Sequence, residues 1–365
     1  MNNHKRVILI ILDGFGAGES DDAINFGDSG AYTSRRIFDS FPDIHAPFFK
    51  QYGLLSSHHK DVLVPQNPNK DTLSGLYELM GLVYPRLPTF PQGFSPSDIH
   101  NIKVLTGREV VGNCPKSGTQ IIQELGQVHL STGNLIIYTS QDSVLQVAAH
   151  QEVIDLSTLY FYCMLIRKYF DENMPIGRII ARPFLGSMTQ GFYRTAYRKD
   201  FPYIPTKNHL LHDLKQQQVC IKGNHVVQNM FPHLLDQLIP GKNDLDCMKN
   251  LMNELSADPV QDTFYFIDLE DLDMLYAHRR DLAGYAKALE ALDPYFIELK
   301  KALTPKDLLL ISADHGNDPG FSNHTDHTRE KVPYLILNHD NKTTSLGEIQ
   351  GMSFIAQQIH QFFTS

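Results

Sequence analysis

The stretch DLLLISADHGNDPGFSNHTDHTRE, residues 307–330, decides how this chain is read. It begins as an apolar run, DLLLISA (307–313), of the kind that forms a strand buried on both faces. Three histidines and four acids then crowd into the nineteen residues 312–330. In open α/β sheets ligands bind beyond the carboxyl ends of the strands, and this chain places its acids there repeatedly. Asp13 ends the run RVILIIL (6–12). Asp268, Asp271 and Asp273 follow the run at 263–267, and His278 comes five residues after Asp273. Asp314 and His315 end the run at 307–313, and His324, Asp326 and His327 lie in the next loop.

Further runs read as strands: NLIIYTS (134–140), GRIIARPF (177–184), TFYFIDL (263–269) and VPYLILN (332–338). Between the strands lie helical patterns. Over 281–303, Leu282, Tyr285, Ala286, Leu289, Leu292, Phe296 and Leu299 recur on one stripe. Strands alternating with helices imply an α/β fold with a mostly parallel sheet and helices on both faces. Two proline-rich crossings, 84–96 and 198–209, resist helix and central strand. Taken as linkers, they define a core of residues 1–89 and 205–365 and an inserted smaller α/β domain of residues 90–204.

The 365 residues suit two domains. A net charge of −9 argues against a nucleic-acid or anionic-membrane surface. None of the four cysteines, Cys114, Cys163, Cys220 and Cys247, forms a CxxC pair. No stretch has the apolar length of a membrane span, and the short apolar run near the start lacks the form of a signal peptide. A soluble cytoplasmic protein with free thiols is expected.

Clustered carboxylates repel and raise one another's pKa, and a dication removes that conflict. Mixed Asp and His donors suit Zn²⁺, Mn²⁺ or Fe²⁺ better than Ca²⁺. There are more candidate donors than one ion needs, so two ions are expected. In NKDTLSGLYELMG (69–81), Thr72 stands at the start of a short helix. Its hydroxyl is either the helix N-cap or a group facing the positive end of the helix dipole, which favours an alkoxide or a phosphate.

ILDGFGAGES (11–20), NKDTLSGLYELMG, DMLYAHRRD (273–281) and SADHGNDP…TDHTRE together resemble the phosphopentomutases of the alkaline-phosphatase superfamily. The likeness continues through VGNCPKSGTQIIQELGQ (111–127), YTSQDSVLQVAAHQEV (138–153) and GRIIARPFLG (177–186). The resemblance implies an alkaline-phosphatase-like core with an inserted cap that recognises substrate. It implies interconversion of ribose 1-phosphate and ribose 5-phosphate, and of the 2-deoxyribose pair, through a phosphothreonine and a sugar bisphosphate. It implies two Mn²⁺ per chain, priming by glucose 1,6-bisphosphate or a ribose bisphosphate, and small sugar phosphates as partners, with no nucleic acid and no membrane. On it, Thr72 accepts the phosphoryl group. Asp13, Asp314 and His315 hold one ion, and Asp273, His278 and His327 hold the other. Ser140, Asp142, Arg178, Arg194 and Lys222 match substrate-binding positions.

The chain departs from that family where Leu76-Tyr77 replaces His-Trp, where Asn69 replaces a glycine, and where Tyr32-Thr33 replaces Asp-Thr, with Arg35-Arg36 following. A phosphatase or phosphodiesterase on the same core, and a metal-binding chain without turnover, are the alternative readings. Asp268, Asp271 and His324 read either as groups that orient the ligands or as solvated loop residues. Arg279 and Arg280 either touch phosphate or pair with Asp281.

Overall fold

The computed structural model describes residues 4–82, 87–139, 143–204, 209–340 and 345–365. The run at 6–12 forms the strand Arg6–Leu12, with every residue buried, as continuous apolar character requires of a strand covered on both faces. It runs parallel to Thr263–Leu269 on one side and Asp307–Ser312 on the other. Beyond Thr263–Leu269 lie Cys220–Gly223 and then Gln237–Leu238, both parallel. Beyond Asp307–Ser312 lies Val332–Asn338, antiparallel, then Val62–Val64 and Glu348–Gln350. Among the described residues this is one eight-stranded, mostly parallel sheet. The apolar runs marked its long inner strands. Its outer strands Val62–Val64, Gln237–Leu238 and Glu348–Gln350 are too short to show a period.

The chain divides into two compact units, Met1–Pro85 with Thr206–Ser365, and Arg86–Pro205. In the first, the helix Leu282–Lys301 buries Tyr285, Ala286, Leu289, Leu292, Phe296 and Leu299. Asp293 joins that buried stripe because its carboxylate accepts the Phe49 N–H at 3.1 Å. In the second unit the sheet order is Val110–Pro115, Leu135–Thr139, Val144–His150, Arg178–Ser187, Gly191–Arg194. Alternation along its strands divides two cores. Leu135 and Ile137 pack with Leu159, Ile166 and Phe170, whereas Ile136 and Tyr138 pack with Ile121, Ile122 and Phe192. The second proline-rich crossing is not strand-free. Lys199–Pro202 pairs antiparallel with Arg178–Ala181, at the margin of that sheet, where proline is tolerated.

All four cysteines are free. Among the described residues, no helix is long and apolar enough to cross a membrane.

Arg6 and Asp307 face each other across the two central strands. Two N–H···O bonds of 2.7 Å join them, and they are only 6% and 2% exposed. Removing one partner leaves a buried charge uncompensated. Arg6→Met is therefore expected to destabilise the protein by about 3–5 kcal/mol, read from urea unfolding, with Arg6→Lys recovering part of the loss.

Candidate metal centre

The parallel register brings three strand ends together. Ile11, Asp268 and Ser312 lie level across the central strands, and Asp13 and Asp314 follow two residues further on. Three donor groups result: Asp273 with His278 and His327; Asp13 with Asp273 and His315; and Asp13 with Asp268 and Asp314. Within each group the ligand atoms lie within 4.8 Å of one another.

The spacing of five between Asp273 and His278 has a local cause. The turn Leu272–Ala277 is π-helical, and His278 N–H donates to the Asp273 carbonyl at 3.0 Å, the i→i+5 bond of a π-turn. Residues five apart then share a face, and His278 Nε2 stands 3.1 Å from Asp273 Oδ2. His327 Nε2 lies 3.6 Å from the same oxygen. Each imidazole is oriented from behind: His278 Nδ1 pairs with the Thr325 carbonyl at 2.7 Å and His327 Nδ1 with the Lys70 carbonyl at 2.9 Å. Donation from Nδ1 leaves both Nε2 lone pairs free to bind a cation. These two Nε2 atoms are 3.0 Å apart, a separation that suits two ligands of a shared ion. Asp273 Oδ1 accepts from Asn317 at 2.7 Å.

On the other side, His315 Nε2 lies 3.1 Å from Asp314 Oδ2 and 3.4 Å from Asp13 Oδ1. It also lies 3.2 Å from Thr72 Oγ1. Asp13, Asp314 and His315 are buried. Asp13 Oδ1, Asp314 Oδ2 and both oxygens of Asp268 have no hydrogen-bond partner. Burial, and then the Asp314 charge, pushes the Asp13 carboxyl well above its ordinary range; burial and Asp314 do the same to Asp268. Burial also pushes on Asp273, but the charges and hydrogen bonds of His327 and His278 hold it well below the usual range. His327 rises to about 9 because Asp273 outweighs its burial. Orphaned buried carboxylates beside imidazoles whose Nδ1 atoms are held by carbonyls fit divalent cations, which would take the place of the His327 Nε2 proton.

Thr72 is the first residue of the helix Thr72–Leu79, and the N-cap is Asp71, whose carboxylate accepts the Ser74 N–H at 3.2 Å. The capping role is thus filled, and the Thr72 hydroxyl points to His315. Gly75 permits this approach: a Cβ there would lie 2.1 Å from the Asp314 carbonyl oxygen. Buried Glu78 fixes the preceding loop by accepting N–H groups of Gln66, Asn67 and Met352. Leu76 and Tyr77 are fully buried, with the Tyr77 hydroxyl on the Met230 carbonyl at 2.8 Å. Asn69 lends its carbonyl to Arg329, which also holds those of Pro65 and Asn67.

Several residues that build the site carried no clear signal in the chain. Arg280 donates to the carbonyls of His324, Asp326 and Ala277 and to Asn317 Oδ1, and not to Asp281. Asp28 is fully buried and accepts from Lys70, His324 and the Arg329 N–H. Glu330 accepts from Gly18, Thr33 and Thr328. Asp271 exchanges N–H bonds with Asp244. Lys222 lies level with Tyr265, three residues before Asp268, and pairs with Glu254 at 2.7 Å. Arg178 and Arg194 belong to the second unit, where Arg178 stands 3.8 Å from Asp200 and Arg194 3.5 Å from the Tyr138 hydroxyl. Ser140 and Asp142 lie outside the described residues.

An α/β core with carboxylate and imidazole donors at its strand ends defines a metalloenzyme, and residues 5–365 match the family model of the Metalloenzyme superfamily. The chain is 38% identical to the phosphopentomutase of Caldanaerobacter subterraneus subsp. tengcongensis, covering 98% of this chain and 94% of that one. It is 37% identical to the phosphopentomutase of Dictyoglomus thermophilum, covering 98% and 95%. The phosphoglycerate mutase of Leishmania mexicana shares the fold, with a TM-score of 0.50 at 11% identity over 99% of this chain and 95% of that one. The chain belongs to the phosphopentomutase family within that superfamily, and it is an enzyme, a mutase of the isomerase class.

Two outcomes test this geometry. Gly→Ala at a permissive position stabilises by about 0.4–1 kcal/mol. Gly75→Ala is expected to reverse that sign and lower the melting temperature, because the new methyl meets Asp314 backbone. Burial, and next the Asp318 charge, pushes the Glu330 carboxyl up to about 7, against about 4.3 for an unfolded glutamate. A raised pKa means stability that is present below about 4.3 and lost as pH rises through about 7. Glu330→Gln is expected to flatten that part of the pH–stability curve of the metal-free protein, whatever it does to absolute stability.

Proposed function

We propose that this chain interconverts ribose 1-phosphate and ribose 5-phosphate, and likewise the 2-deoxyribose pair, by way of a phosphothreonine at Thr72. The observation that carries the reading is the Thr72 hydroxyl, free of the capping role and 3.2 Å from His315 Nε2, at a helix N-terminus beside linked donor groups. Asp13, Asp314 and His315 would hold one Mn²⁺, and Asp273, His278 and His327 a second. When bound, such ions supply positive charge that favours ionised Thr72 and opposes the charge of a transferring phosphoryl group.

The chain's own residues account for the rest. A phosphoryl carried on Thr72 would sit at the N-terminus of the helix Thr72–Leu79, where the helix dipole favours negative charge. In the forward step, the P–O bond to Thr72 breaks, a P–O bond to the free hydroxyl of the sugar phosphate forms, and that hydroxyl's proton ends on the Thr72 oxygen. The sugar bisphosphate then turns over and returns its other phosphoryl to Thr72. A sugar bisphosphate, glucose 1,6-bisphosphate or a ribose bisphosphate, would prime the cycle. Arg178 and Arg194, with Ser140 and Asp142, are assigned to sugar-phosphate recognition, where the planar guanidinium fork suits two phosphate oxygens. Lys222 is the weakest of these assignments, because Glu254 already neutralises it. Small sugar phosphates in the cytoplasm are the proposed partners.

Protein loaded with Mn²⁺, primed with glucose 1,6-bisphosphate and given ribose 5-phosphate is expected to yield ribose 1-phosphate without free phosphate. Thr72→Ala should lose about 10³-fold or more of that turnover. Free phosphate without isomerised sugar would establish a hydrolase in its place.

A further inference from the structure

We propose that Asp268 is a third carboxylate donor to the ion assigned to Asp13, Asp314 and His315; the proposal rests on that assignment. Asp268 is fully buried, and neither of its side-chain oxygens has a hydrogen-bond partner. Its carboxylate lies with those of Asp13 and Asp314, ligand atoms within 4.8 Å of one another. The register explains why. Asp268 is level with Ile11 and Ser312, two residues before Asp13 and Asp314. Side chains alternate with a period of two, so all three carboxylates leave the sheet on one face.

Asp28, Asp293, Asp271 and Asp244, buried or half-buried elsewhere in this unit, each hold a donor on at least one oxygen, whereas Asp268 holds none on either. Asp28 takes Lys70, His324 and the Arg329 N–H. Asp293 takes the Phe49 N–H, and Asp271 and Asp244 exchange N–H bonds. At Asp268 the neighbouring amide of Asn224 serves the residue's backbone and not its carboxylate: its Nδ2 donates to the Asp268 carbonyl at 2.5 Å and its Oδ1 accepts the Asp268 N–H at 3.4 Å. The strand end is thus fixed while the carboxylate is left aimed at Asp13 and Asp314. A carboxylate whose role was packing or turn support would hold such donors, since leaving a buried polar group unpaired costs about 1–3 kcal/mol. A cation is the partner that this arrangement lacks.

The donor set then comprises three carboxylates and one imidazole. Oxygen-rich sets favour Mn²⁺ and Mg²⁺ over softer ions. Asp268 accordingly sets metal preference as well as affinity at this position.

The test is metal binding, read apart from turnover. Metal-free wild type, Asp268→Asn and Asp268→Leu are titrated with Mn²⁺ by calorimetry, and bound ions are counted by electron paramagnetic resonance. In both variants one of two sites is expected to weaken by about tenfold or more. The other site should keep its affinity, which also reports intact folding. Repeating the titration with Mg²⁺ and Zn²⁺ should show a larger loss for Mg²⁺. Both variants binding two Mn²⁺ with wild-type affinity would overturn the proposal. Wild type that binds two ions in an Asp268-dependent way, yet isomerises no pentose phosphate, would overturn the mutase reading and leave this one standing.

Discussion

Carboxylates buried beside one another at the ends of parallel strands are the constraint around which this core is arranged. Asp13, Asp268 and Asp314 are each at most 4% exposed. Charges taken out of water without partners cost several kcal/mol apiece. The apolar strands that bury them also lock their spacing, since Arg6–Leu12 is hydrogen-bonded on both sides. The folded chain therefore carries an unmet electrostatic demand at one place, and the histidines at 278, 315 and 327 converge on it. Their arrangement follows from which imidazole nitrogens the surrounding carbonyls occupy.

The loops around that place are built to keep it rigid. Arg280 clamps the carbonyls on both sides of Thr325, and through Asn317 it also steadies Asp273. Arg329 gathers three carbonyls of the segment leading to Thr72. Glu330 ties the N-terminal loop to the histidine-bearing one through Gly18, Thr33 and Thr328. Of these groups Asn317 alone holds a donor carboxylate, that of Asp273. Their work is to restrict where the imidazoles and the Thr72 hydroxyl can go, which is what positional precision in a catalytic site demands.

The inner sheet was legible because strands buried on both faces are written as uninterrupted apolar runs, and the acids at their ends were legible because charge interrupts such a run abruptly. Thr72 was visible as a helix start, but its neighbour Asp71 proved to be the cap, a distinction that depends on backbone angles on which sequence is silent. The five-residue step from Asp273 to His278 was plain in the sequence, yet the π-turn that makes it work was not. Asp268 read equally well as a solvated residue until register placed it at the carboxylate cluster. Arg280 stayed ambiguous because its partners are carbonyls, which every residue has. Lys199–Pro202 was hidden by its prolines, whose cost vanishes at a sheet margin.

The central strand draws its two neighbours from Thr263–Leu269 and Asp307–Ser312, so donors near residue 13 and near residue 327 must meet. During synthesis, therefore, most of the chain has to emerge before the donor set can close. The continuous unit Arg86–Pro205 faces no such delay and has its own buried core to form first. The first strand waits throughout, with apolar faces and unpaired edges exposed, which is the condition under which chains aggregate or need chaperones. The ion-binding chemistry is thus postponed until the segment around His327 has emerged, by strand order alone.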